Sequence, residues 1–309
     1  MKANPLRIAA LAAVLSTLSA CAVAPAPSAP PPKPPPPPPQ NLVGTTDELQ
    51  LVTELALDLS RTYGAENILV VFDIDNTLLA MEQDLGSDQW YHWQKDLEAE
   101  EPCSQRLVND RLAAQGALYF ASAMRPTQPN AADQVRRLQE AGLRVIALTA
   151  RGSDYRLATF RELRRNGFSF WPSAWPPAAG YAEEFQPEGL PRPIRYEDGV
   201  VFAAGQDKGL VLQDLLKRSG EAAPLLILVA DDKQDNLKAV MKAFSWTPTR
   251  VQAWRYTRED ANVAAFDPDT AAGQWEALQP ALMQLEALFG PDNFDLQPPA
   301  ARAGCPDRE

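Results

Sequence analysis

Three short strand-like runs, Ile68-Leu69-Val70-Val71-Phe72, Arg144-Val145-Ile146-Ala147-Leu148 and Leu225-Leu226-Ile227-Leu228-Val229, lead within a residue or so into acids or a hydroxyl. Runs this short and this continuously apolar read as strands buried on both faces, the pattern of a parallel sheet covered by helices. Such sheets bind ligands beyond the carboxyl ends of their strands, so the residues placed there are the first candidates for chemistry. The first run delivers Asp73 and Asp75. At i and i+2 of extended backbone they point to one side, and Ile74 between them can face the core. Two close carboxylates repel, which calls for a bound cation, a shared proton or both.

Helical spacing separates the runs. Leu49, Val52, Leu55 and Leu59 recur until Gly64, behind a capping-box pattern from Thr45 to Glu48. Residues 130–141, 153–165, 209–219 and 234–244 read as crossover helices, and 274–288 as a final amphipathic helix. Glu197-Asp198-Gly199 lies between two short β-like runs and suggests a hairpin. Strand followed by helix, repeated, predicts an α/β fold with a Rossmann-like, mostly parallel sheet and flanking helices. Asp73 and Thr149 are 76 residues apart, more than one crossover needs, so residues 80–128 are predicted to form a small cap-like insertion. It contains Trp90-Tyr91-His92-Trp93, and a second aromatic cluster runs from Phe168 to Trp175. Aromatic caps can bind a leaving group or exclude water, but packing is the commoner use, and His92 reads as structural.

The amino terminus points to export. Residues 1–20 have a basic start, Lys2 and Arg7, then an apolar stretch and small residues, which is the pattern of a signal peptide and too short to span a bilayer. Residues 21–44 follow as anchor and linker: Pro25 to Pro39 is mostly proline and reads as a polyproline II spacer of roughly 45 Å. The folded domain is expected over 45–292 and a loose tail over 293–309. The formal charge of -11 becomes about -13 once Lys2 and Arg7 leave with the signal peptide, and no basic cluster stands out, which argues against nucleic acid as a partner. Three cysteines and one histidine are too few for a Cys/His zinc framework. Cys103 and Cys305 could pair in an oxidising compartment or stay as free thiols.

The segment Asp73-Ile74-Asp75-Asn76-Thr77 resembles the nucleophile motif of the haloacid dehalogenase (HAD) superfamily. Thr149-Ala150-Arg151 is similar to that superfamily's second motif, Asp207-Lys208-Gly209 to its lysine motif, and Ala230-Asp231-Asp232, with Asp235 following, to its acidic motif. The resemblance covers about residues 65–256. It implies a phosphatase acting on a small phosphorylated substrate, with Asp73 as nucleophile and Asp75 as acid and base. Thr149 and Lys208 would bind the phosphoryl group. Mg²⁺ would be held by Asp73, the backbone carbonyl of Asp75, and Asp231, with a supporting contact from Asp232 or Asp235. The acid two residues after the nucleophile favours a phosphatase over a dehalogenase. The Trp90 and Trp93 pair is loosely similar to the class C acid phosphatases of the same superfamily. Leu18-Ser19-Ala20-Cys21 resembles the lipobox of bacterial lipoproteins, implying that Cys21 is lipidated. With Ala22 next, the resemblance implies an anchor in the outer membrane of the bacterial envelope, facing the periplasm. An alternative from a different class is a catalytically inactive HAD-fold lipoprotein that serves as a binding or envelope-assembly module.

Overall fold

The computed structural model describes residues 36–290 and Cys305. The expected signal segment, Cys21, the proline run up to residue 35 and the expected tail other than Cys305 lie outside the described residues.

The chain enters through β1 (Leu42–Thr46) and α1 (Leu49–Tyr63), then runs through the central strand β2 (Ile68–Phe72). A short strand β3 (Leu79–Met81), helices α2 (Asp88–Glu100) and α3 (Arg111–Ala121), and strand β4 (Met124–Pro126) follow. Helix α4 (Ala131–Glu140), β5 (Arg144–Thr149) and α5 (Arg156–Arg165) lead to the hairpin β6 (Arg195–Glu197) and β7 (Val200–Phe202). The remainder is α6 (Lys208–Ser219), β8 (Leu226–Asp231), α7 (Gln234–Phe244), β9 (Arg250–Tyr256), α8 (Asp260–Ala264) and α9 (Pro268–Phe289).

Seven strands form one sheet in the order β1-β9-β8-β2-β5-β7-β6, parallel throughout except for the β6–β7 hairpin. The fold is therefore α/β with a mostly parallel, Rossmann-like sheet, as the alternating pattern predicts. Every residue of β2 is buried, and successive side chains enter opposite cores. Ile68, Val70 and Phe72 pack with α1 and α4 through Val52, Ala56, Val135 and Leu138, while Leu69 and Val71 pack with α6 and α7 through Val211, Leu215, Leu237 and Val240. Ile74 is fully buried in the first of these cores, so the two acids beside it are left at the strand end.

The hairpin forms as expected: Asp198 and Gly199 both take positive φ, 48° and 78°, matching a type I′ turn. The aromatic cluster after α5 is mostly core, with Phe168, Phe170 and Trp175 buried. Three expectations are corrected. The folded domain begins before residue 45, because β1 pairs in parallel with β9 at the sheet edge from Leu42 onward. The capping box does not form: Thr45 lies in β1, the Thr46 hydroxyl bonds to Glu48's own backbone, and the Leu49 amide donates to Gln128 Oε1 at 2.9 Å, so a residue distant in sequence satisfies the helix start. The last helix starts at Pro268 instead of 274. Asp267 caps it by accepting from the amides of Asp269 and Thr270, and proline suits the first turn, where its missing N–H is no loss.

The insertion is helical. Antiparallel β3 and β4 close its base. Its small core holds Leu85, Trp90, Val108, Ala114 and Leu118, completed by Ala271, Trp275, Leu278 and Leu282 of α9. Trp90 and Trp93 thus serve packing, the latter against Phe266. The carboxyl-terminal region is fastened to the insertion a second time, because Cys103 and Cys305, 202 positions apart in sequence, form a disulfide with Cα atoms 5.5 Å apart. A ring of chain that long restricts the unfolded state strongly, so Cys103→Ser is expected to lower unfolding free energy by roughly 2 to 5 kcal/mol in urea titrations of the oxidised protein, with no such difference under reducing conditions.

Candidate active site

The ends of β2, β5 and β8 and the start of α6 converge on one point. Neighbouring strands in register, Phe72 beside Ala147 and Ala230, carry their next residues to the same edge of the sheet. The Asp73 amide continues the ladder by donating to Ala230 O at 2.9 Å. The chain then reverses over residues 74–79, where Asn76 adopts φ 57°, a left-handed conformation that asparagine tolerates better than most residues.

Lys208 is the hub of the charges. Its ammonium lies 2.8 Å from Asp73 Oδ1 and 2.7 Å from Asp231 Oδ2, and all three side chains are buried. Burial alone would lower the Lys208 pKa, but Asp231 and Asp73 hold it above its usual value, so the ammonium stays charged. Gly209 makes this position available: a Cβ there would stand 2.2 Å from Ala239 O, so only glycine lets α6 approach α7 this closely.

Asp73, Asp231 and Asp232 each offer a carboxylate oxygen, and these oxygens lie within 4.8 Å of one another. Lys208, with the Lys233 ammonium shared between Asp232 and Asp88, does not balance these carboxylates. Burial, and then the Asp231 charge, push Asp73 well above the usual carboxylate range against the pull of Lys208. Burial and the same neighbour push Asp232 up to about 7. The two adjacent acids differ in what they have left to give. Asp231 Oδ1 accepts from the Lys233 amide and from Asn236 Nδ2, and Oδ2 from Lys208. Asp232 Oδ1 is buried with no hydrogen-bond partner among the described residues, while the Asp232 backbone is held by the Thr77 hydroxyl. Contact with Lys208 therefore falls to Asp231, and the orphaned oxygen belongs to Asp232. An orphaned carboxylate oxygen in an all-oxygen, acidic cluster fits a hard divalent cation, because such ions take carboxylate ligands and remove the repulsion among them. Asp231 keeps lone pairs for the same ion. Asp235 is no part of the cluster, being exposed on α7 and paired with Lys238.

Asp75 has a different environment. Arg151 holds its carboxylate through two bonds, Nε to Oδ2 at 2.9 Å and Nη2 to Oδ1 at 2.7 Å, and the Tyr119 hydroxyl donates to Oδ1 at 3.1 Å. Burial would raise Asp75, but the charge and hydrogen bonds of Arg151, with Tyr119, hold it below the usual value. The anionic form suits a base. Thr149 ends β5 fully buried, its hydroxyl accepting from the Arg151 amide.

The site thus gathers Asp73, Asp75, Lys208 and Asp231 with Thr149 on the adjoining strand. Sequence reasoning assigned no role to Tyr119, nor to Arg151 beyond its place in a motif, and it missed Lys233. The Lys233 ammonium reaches from beside Asp232 to Asp88 Oδ2 at 2.7 Å and His92 Nε2 at 2.8 Å, both on α2 of the insertion. His92 is thereby a link between insertion and sheet. An arginine two residues past the end of a buried strand was the one signal available for Arg151. Tyr119 and Lys233 look like ordinary helix and loop residues.

Residues 48–288 match the model of a family described as a protein of unknown function, DUF2608. The chain belongs to that family. No curated protein matches it. The match runs from the start of α1 almost to the end of α9, so the DUF2608 region takes in six of the sheet's seven strands, all but the edge strand β1, together with the insertion and every acid of the cluster.

The Asp232 environment has a pH signature. A carboxyl raised from 3.8 to about 7 on folding means that the folded state keeps a proton which the unfolded chain has released. Stability conferred on the metal-free protein then falls as pH rises from about 4 through about 7. Asp232→Asn removes that slope, so in EDTA the variant's melting temperature is expected to gain on the wild type over this range. A difference between the two that is constant with pH would show that Asp232 titrates as an ordinary carboxylate.

Proposed function

We propose that this chain is a Mg²⁺-dependent phosphomonoesterase of HAD type, held in the bacterial envelope by a lipid on Cys21. The observation that carries the proposal is the buried cluster of Asp73, Asp231 and Asp232 around Lys208, with an unpartnered oxygen on Asp232, at the carboxyl ends of parallel strands. A cluster of this kind strains against its own charge without a cation, and it provides a buried nucleophile beside an ammonium.

In the first step an Asp73 oxygen attacks phosphorus, the bond from phosphorus to the leaving oxygen breaks, and Asp75 supplies that oxygen's proton. In the second step water attacks the aspartyl-phosphate, Asp75 takes the water's proton, and the bond between Asp73 and phosphorus breaks. Lys208 and the Thr149 hydroxyl bear on the transferring oxygens. Mg²⁺ held by Asp73, Asp232 and Asp231 would supply positive charge against the nucleophile and the phosphoryl group.

One observation favours the second reading, an inactive HAD-fold lipoprotein acting as a binding or assembly module. Asp75 is already tied to Arg151 and must gain a proton before it can give one. Hydrolysis of an aryl phosphate by the full chain, with and without Mg²⁺, separates the two. Turnover is expected only with the metal, and Asp73→Asn is expected to abolish it in a protein of unchanged circular dichroism. Absence of Mg²⁺-dependent hydrolysis across phosphomonoesters would leave the binding module.

The metal ligands are tested by calorimetric titration with Mg²⁺. Asp232→Asn is expected to weaken binding by roughly 10- to 100-fold, whereas Asp235→Asn, which alters only a surface ion pair, should bind as the wild type does. Equal loss in both would refute the ligand assignment. Anchoring has its own test: Cys21→Ser should lose all labelling by a palmitate analogue, and undiminished labelling would end that part of the proposal.

A further inference from the structure

We infer that Tyr119 of the insertion and Arg151 of the loop after β5 act together as positioning residues for Asp75, so that the insertion completes the reaction centre. The inference rests on the phosphatase reading, in which Asp75 passes protons in both steps.

The geometry is that of a clamp on one carboxylate. Arg151 is buried and each of its three side-chain nitrogens is committed. Nε and Nη2 bind Asp75, Nη2 also meets Met124 Sδ at 3.2 Å, and Nη1 donates to Thr159 Oγ1 at 2.8 Å. Thr159 lies on α5 and Met124 on β4, so the guanidinium is fixed from two elements before it reaches Asp75. An arginine spent in this way has little left for a substrate phosphate. What it does is fix the plane of the Asp75 carboxylate, because two parallel N–H bonds define an orientation that a single ammonium cannot.

Tyr119 closes the clamp from the other side. Its ring lies over the Arg151 guanidinium at 4.3 Å and meets the edge of Tyr155 at 5.5 Å. The Tyr155 hydroxyl in turn donates to Leu112 O at 2.9 Å, back on the helix that carries Tyr119. A phenylalanine would satisfy all of that packing. The hydroxyl on Asp75 Oδ1 is the part that packing does not require, and it is the one hydrogen bond from the insertion to either acid of the paired motif among the described residues. Burial, followed by the Asp75 charge, pushes the Tyr119 phenol well above its usual range, so it remains a donor.

Tyr119→Phe isolates this role, since it removes one oxygen and leaves the ring stack. With the full chain, Mg²⁺ and an aryl phosphate, kcat is expected to fall roughly 10-fold with KM nearly unchanged, as for loss of a hydrogen bond to a charged group. Arg151→Lys keeps the charge and loses the fork, and is expected to cost on the order of 100-fold in kcat through misplacement of Asp75. An activated aryl leaving group needs little protonation, so the second step should suffer more than the first. Rapid-quench mass spectrometry should therefore find a larger fraction of either variant carrying phosphate on the Asp73 peptide at steady state than of the wild type. A purely structural contribution would lower the active fraction without shifting that proportion. Active wild type with unimpaired Tyr119→Phe, or lowered kcat with no added phosphoenzyme, would overturn the inference alone. An inactive wild type would overturn the phosphatase reading beneath it.

Discussion

A buried ammonium between two carboxylates ties this site together. Lys208 opens α6, Asp73 follows β2 and Asp231 ends β8, so two ion pairs of 2.7 and 2.8 Å join three elements that are far apart in sequence. Removing one partner from such a buried group strands a charge and costs several kcal/mol, more than an ordinary apolar truncation at a surface. The close approach of α6 to α7 at Gly209 and the full burial of β2 can be seen as the scaffold that keeps this contact short.

The parts legible in the sequence are those set by local pattern. Continuous apolar runs announce β2, β5 and β8 because both faces of those strands are covered, and Asp73, Asp75, Thr149 and Asp231 follow from being at or just past their ends, whereas Lys208, at the start of α6, was legible only through the motif it resembles. The helix limits at Gln234 and Phe244 follow from spacing in the same way. The parts that were not legible are set by distant contacts. β1 has only five residues, mostly exposed, and becomes a strand because β9 offers an edge. The start of α1 depends on Gln128, 79 residues away. Between two adjacent acids, only the network of Lys208, Lys233 and Asn236 decides which oxygen is left over, and no motif records that.

The insertion illustrates how one patch of sequence serves two purposes. Its aromatic residues suggest a lid for a leaving group, yet Trp90 and Trp93 are used to build a core with α9, which is contributed by the far end of the chain. Contact with the site is made instead by polar groups, the Tyr119 hydroxyl on one side and Asp88 with His92 on the other. An insertion of this size has too little apolar area to be stable alone, so borrowing α9 lets it present those groups on firm supports.

The Cys103–Cys305 bond also has a topological meaning. It closes a covalent ring that contains Thr149, Lys208 and Asp231, while Asp73 and Asp75 sit on the open segment that leads into it. A protease that cuts the backbone once, anywhere within the ring, releases no fragment. Both halves of the charge cluster remain on one molecule, and what non-covalent contacts hold in register after such a nick, the sulfur bridge keeps from diffusing apart.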